Sequence, residues 1–315
     1  MSRTRASQVA LPDLQGRTAL VTGASDGVGV EIARGFAVAG ADLVLPVRNP
    51  DKGGQAIDMI RAGAPDVGVS LRDLDLARLA SVDALAAALR TERAALDIVV
   101  LNAGIVLLGD PERHVSADGF ELHFQTNFLG HFALTTALLP LLQERGTRIV
   151  VQLSLAAAVA RPDWNDLQSE RRYSPLRAYG ASKTALGLFA YELARRSAAE
   201  GWGISVQLSH PGVVPDTGIA PAMRARQRSD AGRRVAQRLG NTPAQAAQPA
   251  LRAAVTDART PTALPGFFGP SGVMHFGGPA EALRPYRRLA DPVAGARMWA
   301  IAEKLLRDRA DAVRA

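Results

Sequence analysis

The chain has 315 residues, 47% of them apolar and 21% charged, with a formal charge of +7, a balance that suits one large α/β domain. Cysteine is absent, which excludes disulfides, thiolate catalysis and Cys-ligated zinc; the five histidines form no His-Glu-x-x-His pattern, so no metal site is expected. The arginines are scattered rather than gathered in a stripe, which speaks against a nucleic-acid partner.

Residues 1–13 read as a flexible arm before a single domain over residues 14–315, in which short apolar strands alternate with amphipathic helices. No apolar run of about 18 residues occurs and no basic-then-apolar leader follows Met1, so the expectation is a soluble, cytoplasmic protein without an integral membrane segment. A strand over Thr18–Thr22 leads into Gly23-Ala24-Ser25-Asp26-Gly27-Val28-Gly29, which opens a helix over Gly27–Ala39. Free N–H groups and the positive dipole end at such a helix start suit a pyrophosphate; an ordinary strand-to-helix turn is the alternative. Asp26 tells against an added phosphate unless its side chain caps the helix.

The second strand, Asp42–Val47, ends before Arg48, where the adenosine ribose of a dinucleotide would lie. Leu45-Pro46-Val47 offers no carboxylate to hold a ribose diol, whereas a guanidinium pairs with a 2′-phosphate, so NADP(H) is expected ahead of NAD(H). A solvated surface Arg is the competing reading. A helix over Asp51–Ala62 follows, then a strand over Val67–Leu71 with Asp75 beyond it. A helix over Ala80–Arg93 and a strand over Ile98–Leu101 lead to Asn102-Ala103-Gly104. These positions would flank adenine and its ribose, although each residue is also an ordinary turn former. The helix Phe120–Gln143 encloses Asn127, a poor helix former whose burial in an apolar helix needs a reason.

The strand Arg148–Leu153 ends at Ser154, and the helix Arg177–Ala199 carries Tyr179 and Lys183 at i and i+4 on one face. Lys183 is one of only three lysines, with Lys52 and Lys304, in a chain that otherwise writes its cations as Arg, which marks it as chemically selected. A free phenol has a pKa of about 10, and an adjacent ammonium together with a water-poor cleft is expected to lower it so that Tyr179 acts as general acid or base near neutral pH. Ser154 would hydrogen-bond the same substrate oxygen. Singly, these are a surface pair and a strand-end serine; in this order, beyond strand ends, they form a catalytic set. A strand over Ile204–Leu208, a helix over Thr242–Ala254 and a last helix over about 293–309 complete the pattern. Phe267-Phe268-Gly269-Pro270 reads as a last strand and turn, or Phe267 and Phe268 join Leu155 as apolar walls.

With these motifs, from about Leu14 to Phe268, the chain resembles the short-chain dehydrogenase/reductase family. The segment Trp164–Tyr173 is similar to an insertion in the branch resembling retinol dehydrogenases and protochlorophyllide reductases. The resemblance implies a doubly wound parallel sheet of the Rossmann type with a small substrate lid at about 217–240. Asn127, Ser154, Tyr179 and Lys183 would be catalytic, Asn127 holding a water that relays protons to Lys183. Cofactor contacts would come from Gly23, Ser25, Asp26, Gly27, Val28, Arg48, Asp75, Asn102, Gly104, Tyr179 and Lys183, and from Pro211, Gly212, Val213, Val214 and Thr217 beside the nicotinamide. Leu101 stands where the family has a first asparagine, and the Pro-Gly-x-x-x-Thr pattern is stretched by one residue before Thr217. Six arginines between Pro221 and Gly240 would either receive an acidic or carrier-bound substrate or form the solvated face of a helix, with Met223 and Leu239 inward.

The expected activity is thus that of a ketone or aldehyde reductase or alcohol dehydrogenase on a small, apolar carbonyl or alcohol, with NADP(H) as cofactor. A dinucleotide-binding sensor or scaffold is the alternative, which the complete Ser-Tyr-Lys set disfavours. Nucleotide-sugar epimerases also use Tyr and Lys, with a different glycine spacing and a larger C-terminal domain. A homo-oligomer is left open.

Overall fold

The computed structural model describes residues 8–215, 240–256 and 261–314. Its centre is an eight-stranded sheet in the order β3-β2-β1-β4-β5-β6-β7-β8. The strands are β1 (Thr18–Val21), β2 (Asp42–Val47), β3 (Val69–Asp73), β4 (Ile98–Leu101), β5 (Arg148–Gln152), β6 (Ser205–Ser209), β7 (Gly266–Pro270) and β8 (Ala280–Leu283). All neighbours pair in parallel except β7 with β8. The helices are α1 (Gly27–Val38), α2 (Pro50–Arg61), α3 (Leu79–Thr91), α4 (Leu122–Phe124), α5 (Gly130–Arg145), α6 (Ala156–Val159), α7 (Pro175–Glu200), α8 (Pro243–Val255) and α9 (Pro292–Arg314). This is the single-domain, doubly wound Rossmann arrangement expected from the alternation of strands and helices.

Side chains alternate across the buried strands and divide the interior into two cores, as a period of two requires. Leu20 and Val44 face a core with Leu79 of α3, Phe132 of α5, Phe189 of α7 and Trp299 of α9. Ala19, Val21, Leu43 and Leu45 face the other, built from Ile32 and Phe36 of α1, Ile60 of α2 and Leu251 of α8. Local chemistry sets the helix starts. Asn49 caps α2 by accepting from Lys52 N–H with Pro50 at the first turn, and Thr242 and Gln245 form a reciprocal capping box on α8.

Several segments depart from the reading above, among them the last helix, which runs to Arg314 rather than about 309. β3 lies two residues later than expected, because Leu43 pairs with Val69 and the ladder continues through Arg72 and Asp73. β3 is the sheet edge and only half-buried, so polar residues are tolerated there, and Arg72 pairs with Glu92 at 2.7 Å. The helix expected over Phe120–Gln143 starts at Leu122 and is interrupted by a π turn over Gln125–Leu129, in which Gly130 N–H reaches the Gln125 carbonyl. Phe267 and Phe268 sit in a strand, β7, as one of the two readings had it, but the strand runs on through Gly269 and Pro270 and is followed by β8, and the two rings face opposite sides of the sheet, one in each core, so they do not wall a ligand site. The arginine-rich segment and Thr217 lie outside the described residues. Among the described residues no helix is long and apolar enough to cross a membrane.

Candidate active site

A cleft of about 740 Å³ opens beyond the carboxyl ends of the parallel strands, where a doubly wound sheet places its ligands. Its floor begins at the turn between β1 and α1. Asp26 has extended backbone and caps α1, its Oδ1 accepting from Gly27 N–H at 2.6 Å, so its carboxylate is engaged with the helix as well as 3.9 Å from Lys52 Nζ. Gly29 has no room for a side chain: a Cβ there would lie 2.3 Å from the Gly23 carbonyl oxygen and 2.7 Å from Asn102 Nδ2. The helix start therefore packs directly on the loop, leaving backbone rather than side chain facing the cleft. Asn102 closes the junction between β1 and β4 by donating from Nδ2 to the Thr22 carbonyl at 2.9 Å.

Of the expected cofactor residues, Gly23, Ser25, Asp26, Gly27, Val28, Arg48, Asp75, Asn102, Gly104, Tyr179, Lys183, Pro211, Gly212 and Val214 line this one cleft. Val213 does not line it; its N–H donates to the Phe276 carbonyl at 2.8 Å, tying the strand exit to the loop after β7. Gly212, at φ 79°, lies so close to that loop that a Cβ would be 2.4 Å from the Phe276 oxygen. Leu155 is not on the wall; Ile105, Val106, Leu107 and Leu122 supply its apolar part.

Ser154 follows β5, while Tyr179 and Lys183 lie near the start of α7, and all three line the cleft. The Tyr179 hydroxyl is hydrogen-bonded to Ser154, and Lys183 Nζ donates to the Gln152 carbonyl at 3.0 Å. The expected lowering of the phenol pKa is not what this geometry yields. Burial pushes Tyr179 above the ordinary tyrosine value, against the opposing hydrogen bond from Ser154. The same burial lowers Lys183 to about 8. Both shifts have one cause: each charged form has lost water, and in Lys183 this outweighs the bond from the ammonium to the Gln152 carbonyl.

Asn127 stands behind the wall, fully buried on the π turn. Its Oδ1 accepts from Ile105 N–H at 2.7 Å, and its Nδ2 donates to the Ile105 carbonyl at 3.1 Å and to Ser182 Oγ at 3.0 Å. This explains a buried asparagine in an apolar helix: the carboxamide straps the loop after β4 to α7. Gly104 is fitted between the two, since a Cβ would lie 3.0 Å from Asn127 Oδ1 and 3.4 Å from Lys183 Nζ.

Several site residues were missed in the sequence. Lys52 lines the cleft beside Arg48, and its rarity, used above to single out Lys183, marks it equally. Gln152 also lines the cleft; its Nε2 donates to Asn102 Oδ1 at 3.3 Å and its Oε1 accepts from Ser209 Oγ at 2.5 Å. His123, fully buried, packs edge-on against the Tyr179 ring at a centroid distance of 6.0 Å. Its Nε2 accepts from Leu107 N–H at 3.0 Å, which puts its proton on Nδ1, 2.8 Å from Glu121 Oε1. The insertion reaches this pair, because Gln168 Oε1 accepts from Glu121 N–H at 2.8 Å. Spacing gave no signal for these contacts. On the surface loop after β4, Asp110, Glu112 and His114 bring potential ligand atoms within 4.8 Å, a grouping not anticipated.

The cleft fits a dinucleotide at its glycine loop: the Gly23–Gly29 contact is a cradle that admits no Cβ, so the start of α1 offers backbone N–H groups rather than side chains to the space beyond the strands.

Comparison with known proteins agrees with this geometry. The family model described as short chain dehydrogenase matches residues 17–228. Retinol dehydrogenase 12 of Mus musculus is 39% identical over 202 residues, covering 64% of this chain and 62% of that protein, so the chain spans less than two thirds of that relative. An uncharacterized protein from Mycobacterium paratuberculosis has a similar structure, with 31% identity, a TM-score of 0.74 and coverage of 95% of this chain and 97% of the other. A short chain dehydrogenase from Shigella flexneri, complexed with NADP, matches with 28% identity and a TM-score of 0.64 over 82% of this chain and 98% of that one.

Proposed function

Since the chain belongs to the short chain dehydrogenase family, we propose that it is an NADP(H)-dependent oxidoreductase acting between a carbonyl and a secondary alcohol on an apolar small molecule. The observation that carries this reading is the meeting of Ser154, Tyr179 and Lys183 with the glycine loop in one cleft. A bound nicotinamide dinucleotide supplies the hydride chemistry, and the protein supplies orientation and charge.

The backbone of Gly23 to Val28 and the start of α1 receive the pyrophosphate. Arg48 and Lys52 together read the 2′-phosphate, and the engagement of Asp26 with the helix cap and Lys52 removes the repulsion its carboxylate would otherwise exert. Asp75, Asn102 and Gly104 border the adenosine side, and Pro211 to Val214 the nicotinamide. Ser154 orients the substrate oxygen and Tyr179 transfers the proton. Because burial raises the phenol pKa, Tyr179 holds its proton at neutral pH, the state a general acid needs for reduction. Lys183, at about 8, remains largely protonated there and holds the cofactor ribose. The carboxamide of Asn127 is committed to Ile105 and Ser182, so any water it holds toward Lys183 rests on its main-chain carbonyl. Ile105, Val106, Leu107 and Leu122 favour an apolar substrate. A cytoplasmic location belongs to the same reading and is checked by cell fractionation.

Calorimetric titration with NADPH and NADH tests the cofactor: NADPH is expected to bind at least tenfold more tightly, about 1.4 kcal/mol. Tyr179→Phe should keep NADPH affinity and lose most turnover of aliphatic aldehydes and ketones. Unchanged turnover refutes the role of Tyr179. NADPH binding by the unaltered protein without turnover of any carbonyl or alcohol would favour the sensor or scaffold.

A further inference from the structure

His131, on the first turn of α5, is a buried titratable group that the proposed chemistry does not use. We infer that His131 is a positioning residue that joins the floor of the nucleotide cleft to the π turn carrying Asn127. The ring is fully enclosed, with Nε2 3.1 Å from Thr22 Oγ1 and Nδ1 3.3 Å from the Asn127 carbonyl oxygen.

The proton arrangement follows from counting donors and acceptors. Thr22 Oγ1 accepts from Asn102 N–H and from Ala103 N–H, each at 3.0 Å, which occupies both of its lone pairs. Its single proton goes either to His131 Nε2 or to the Val100 carbonyl 3.3 Å away, and that carbonyl already accepts from Thr22 N–H at 3.1 Å. Every group is satisfied when the Thr22 hydroxyl donates to Nε2, which places the ring proton on Nδ1, donating to Asn127. The ring is neutral around pH 7, because burial lowers its pKa to about 3, opposed by the bond to Asn127 and reinforced by the charge of Lys183.

The result is one continuous chain: the N–H groups of Asn102 and Ala103, the Thr22 hydroxyl, the His131 ring, the Asn127 carbonyl. Both ends touch the site. Asn102 and Ala103 line the cleft, and the side chain of Asn127 clamps Ile105, which also lines it. An aromatic ring without nitrogens would fill the space and leave two buried polar groups without this partner, loosening the backbone on which the nucleotide rests.

The role in nucleotide binding rests on the dinucleotide reading; the link itself has a readout that needs no ligand. Amide hydrogen exchange of the nucleotide-free protein should show Asn102 and Ala103 exchanging at least tenfold faster in His131→Phe, with Val99 and Val100 in the middle of β4 unchanged. Thr22→Val removes the acceptor of both amides and so sets the largest change to expect, and His131→Leu, a smaller apolar side chain, should produce the same local change where His131→Phe folds poorly. His131→Gln, whose Oε1 can accept the Thr22 proton, should restore most of the protection. In NADPH titrations, His131→Phe is expected to bind at least tenfold more weakly, and the double variant with Thr22→Val no more weakly than the worse single one. Unchanged exchange at Asn102 and Ala103, or NADPH affinity within twofold of the unaltered protein alongside a lowered melting temperature, overturns the inference and leaves His131 as core packing. Failure of the unaltered protein to bind NADPH or NADH overturns the dinucleotide reading, while the exchange data still decide the link.

Discussion

Replacing Lys183 by Met should reveal what the site costs the fold. The side chain is 4% exposed, and burial lowers its pKa from the ordinary 10.5 to about 8. Below about pH 8 the ammonium is charged in both the folded and the unfolded chain, and the full cost of burying it is present. Between 8 and 10.5 the unfolded chain binds the proton more than the folded protein does, so stability rises with pH across that window. The difference amounts to about 3 kcal/mol, at about 1.4 kcal/mol per pH unit. Met removes this cost but also loses the bond from Nζ to the Gln152 carbonyl, worth about 2 kcal/mol for a charged donor. The net expectation is a nucleotide-free Lys183→Met protein about 1 kcal/mol more stable at pH 7, an advantage that shrinks by about 1.4 kcal/mol per unit above pH 8 and then reverses. Urea unfolding of both proteins from pH 7 to 10 measures the difference directly. A variant less stable at pH 7, with a gap that stays constant to pH 10, would refute the reasoning. Turnover should be lost in the same variant, as expected for a residue kept for chemistry against stability.

Gly29→Ala should abolish measurable NADPH binding and lower the melting temperature, because its Cβ meets backbone at 2.3 Å rather than a side chain that can move; titration at unchanged affinity would contradict the cradle. Arg48→Ala and Lys52→Ala should each weaken NADPH about tenfold while leaving NADH within twofold, and equal losses for the two dinucleotides would show that neither side chain reads the 2′-phosphate. His131 and His210 are held neutral by burial, with pKa values lowered to about 3 and about 4. Their stabilising effect is full above the ordinary 6.5 and is lost as pH falls, at about 1.4 kcal/mol per unit for each, so unfolding free energy should drop by about 4 kcal/mol between pH 7 and 5. His131→Gln should roughly halve that slope, and a flat profile would show that neither ring is held neutral.

Features written in short stretches of chain were legible without the structure. Alternating apolar strands and amphipathic helices determined the parallel sheet, since burial on both faces demands just such runs. The Gly23 to Gly29 turn and the Tyr179–Lys183 pair were readable because both depend on neighbours a few residues apart, and Ser154 because it closes a strand. The last two elements of the sheet were less visible: Phe267 and Phe268 look the same in sequence whether they pack a core or wall a pocket, and only the pairing of β7 with β6 and β8 puts them inside the sheet, where each of the two faces is covered by a core. His123 and His131 each have one partner close in sequence, Glu121 and Asn127, but their other partners lie on separate elements, Leu107 on a loop and Thr22 at the end of β1, and no spacing rule connects those. Lys52 joins Arg48 at the cleft only because α2 begins there. The proton affinities of Tyr179 and Lys183 belong to the same class. Sequence identified the two groups and their helical register, but enclosure set the direction of both shifts, because the loss of water around a charge depends on every element packed over it.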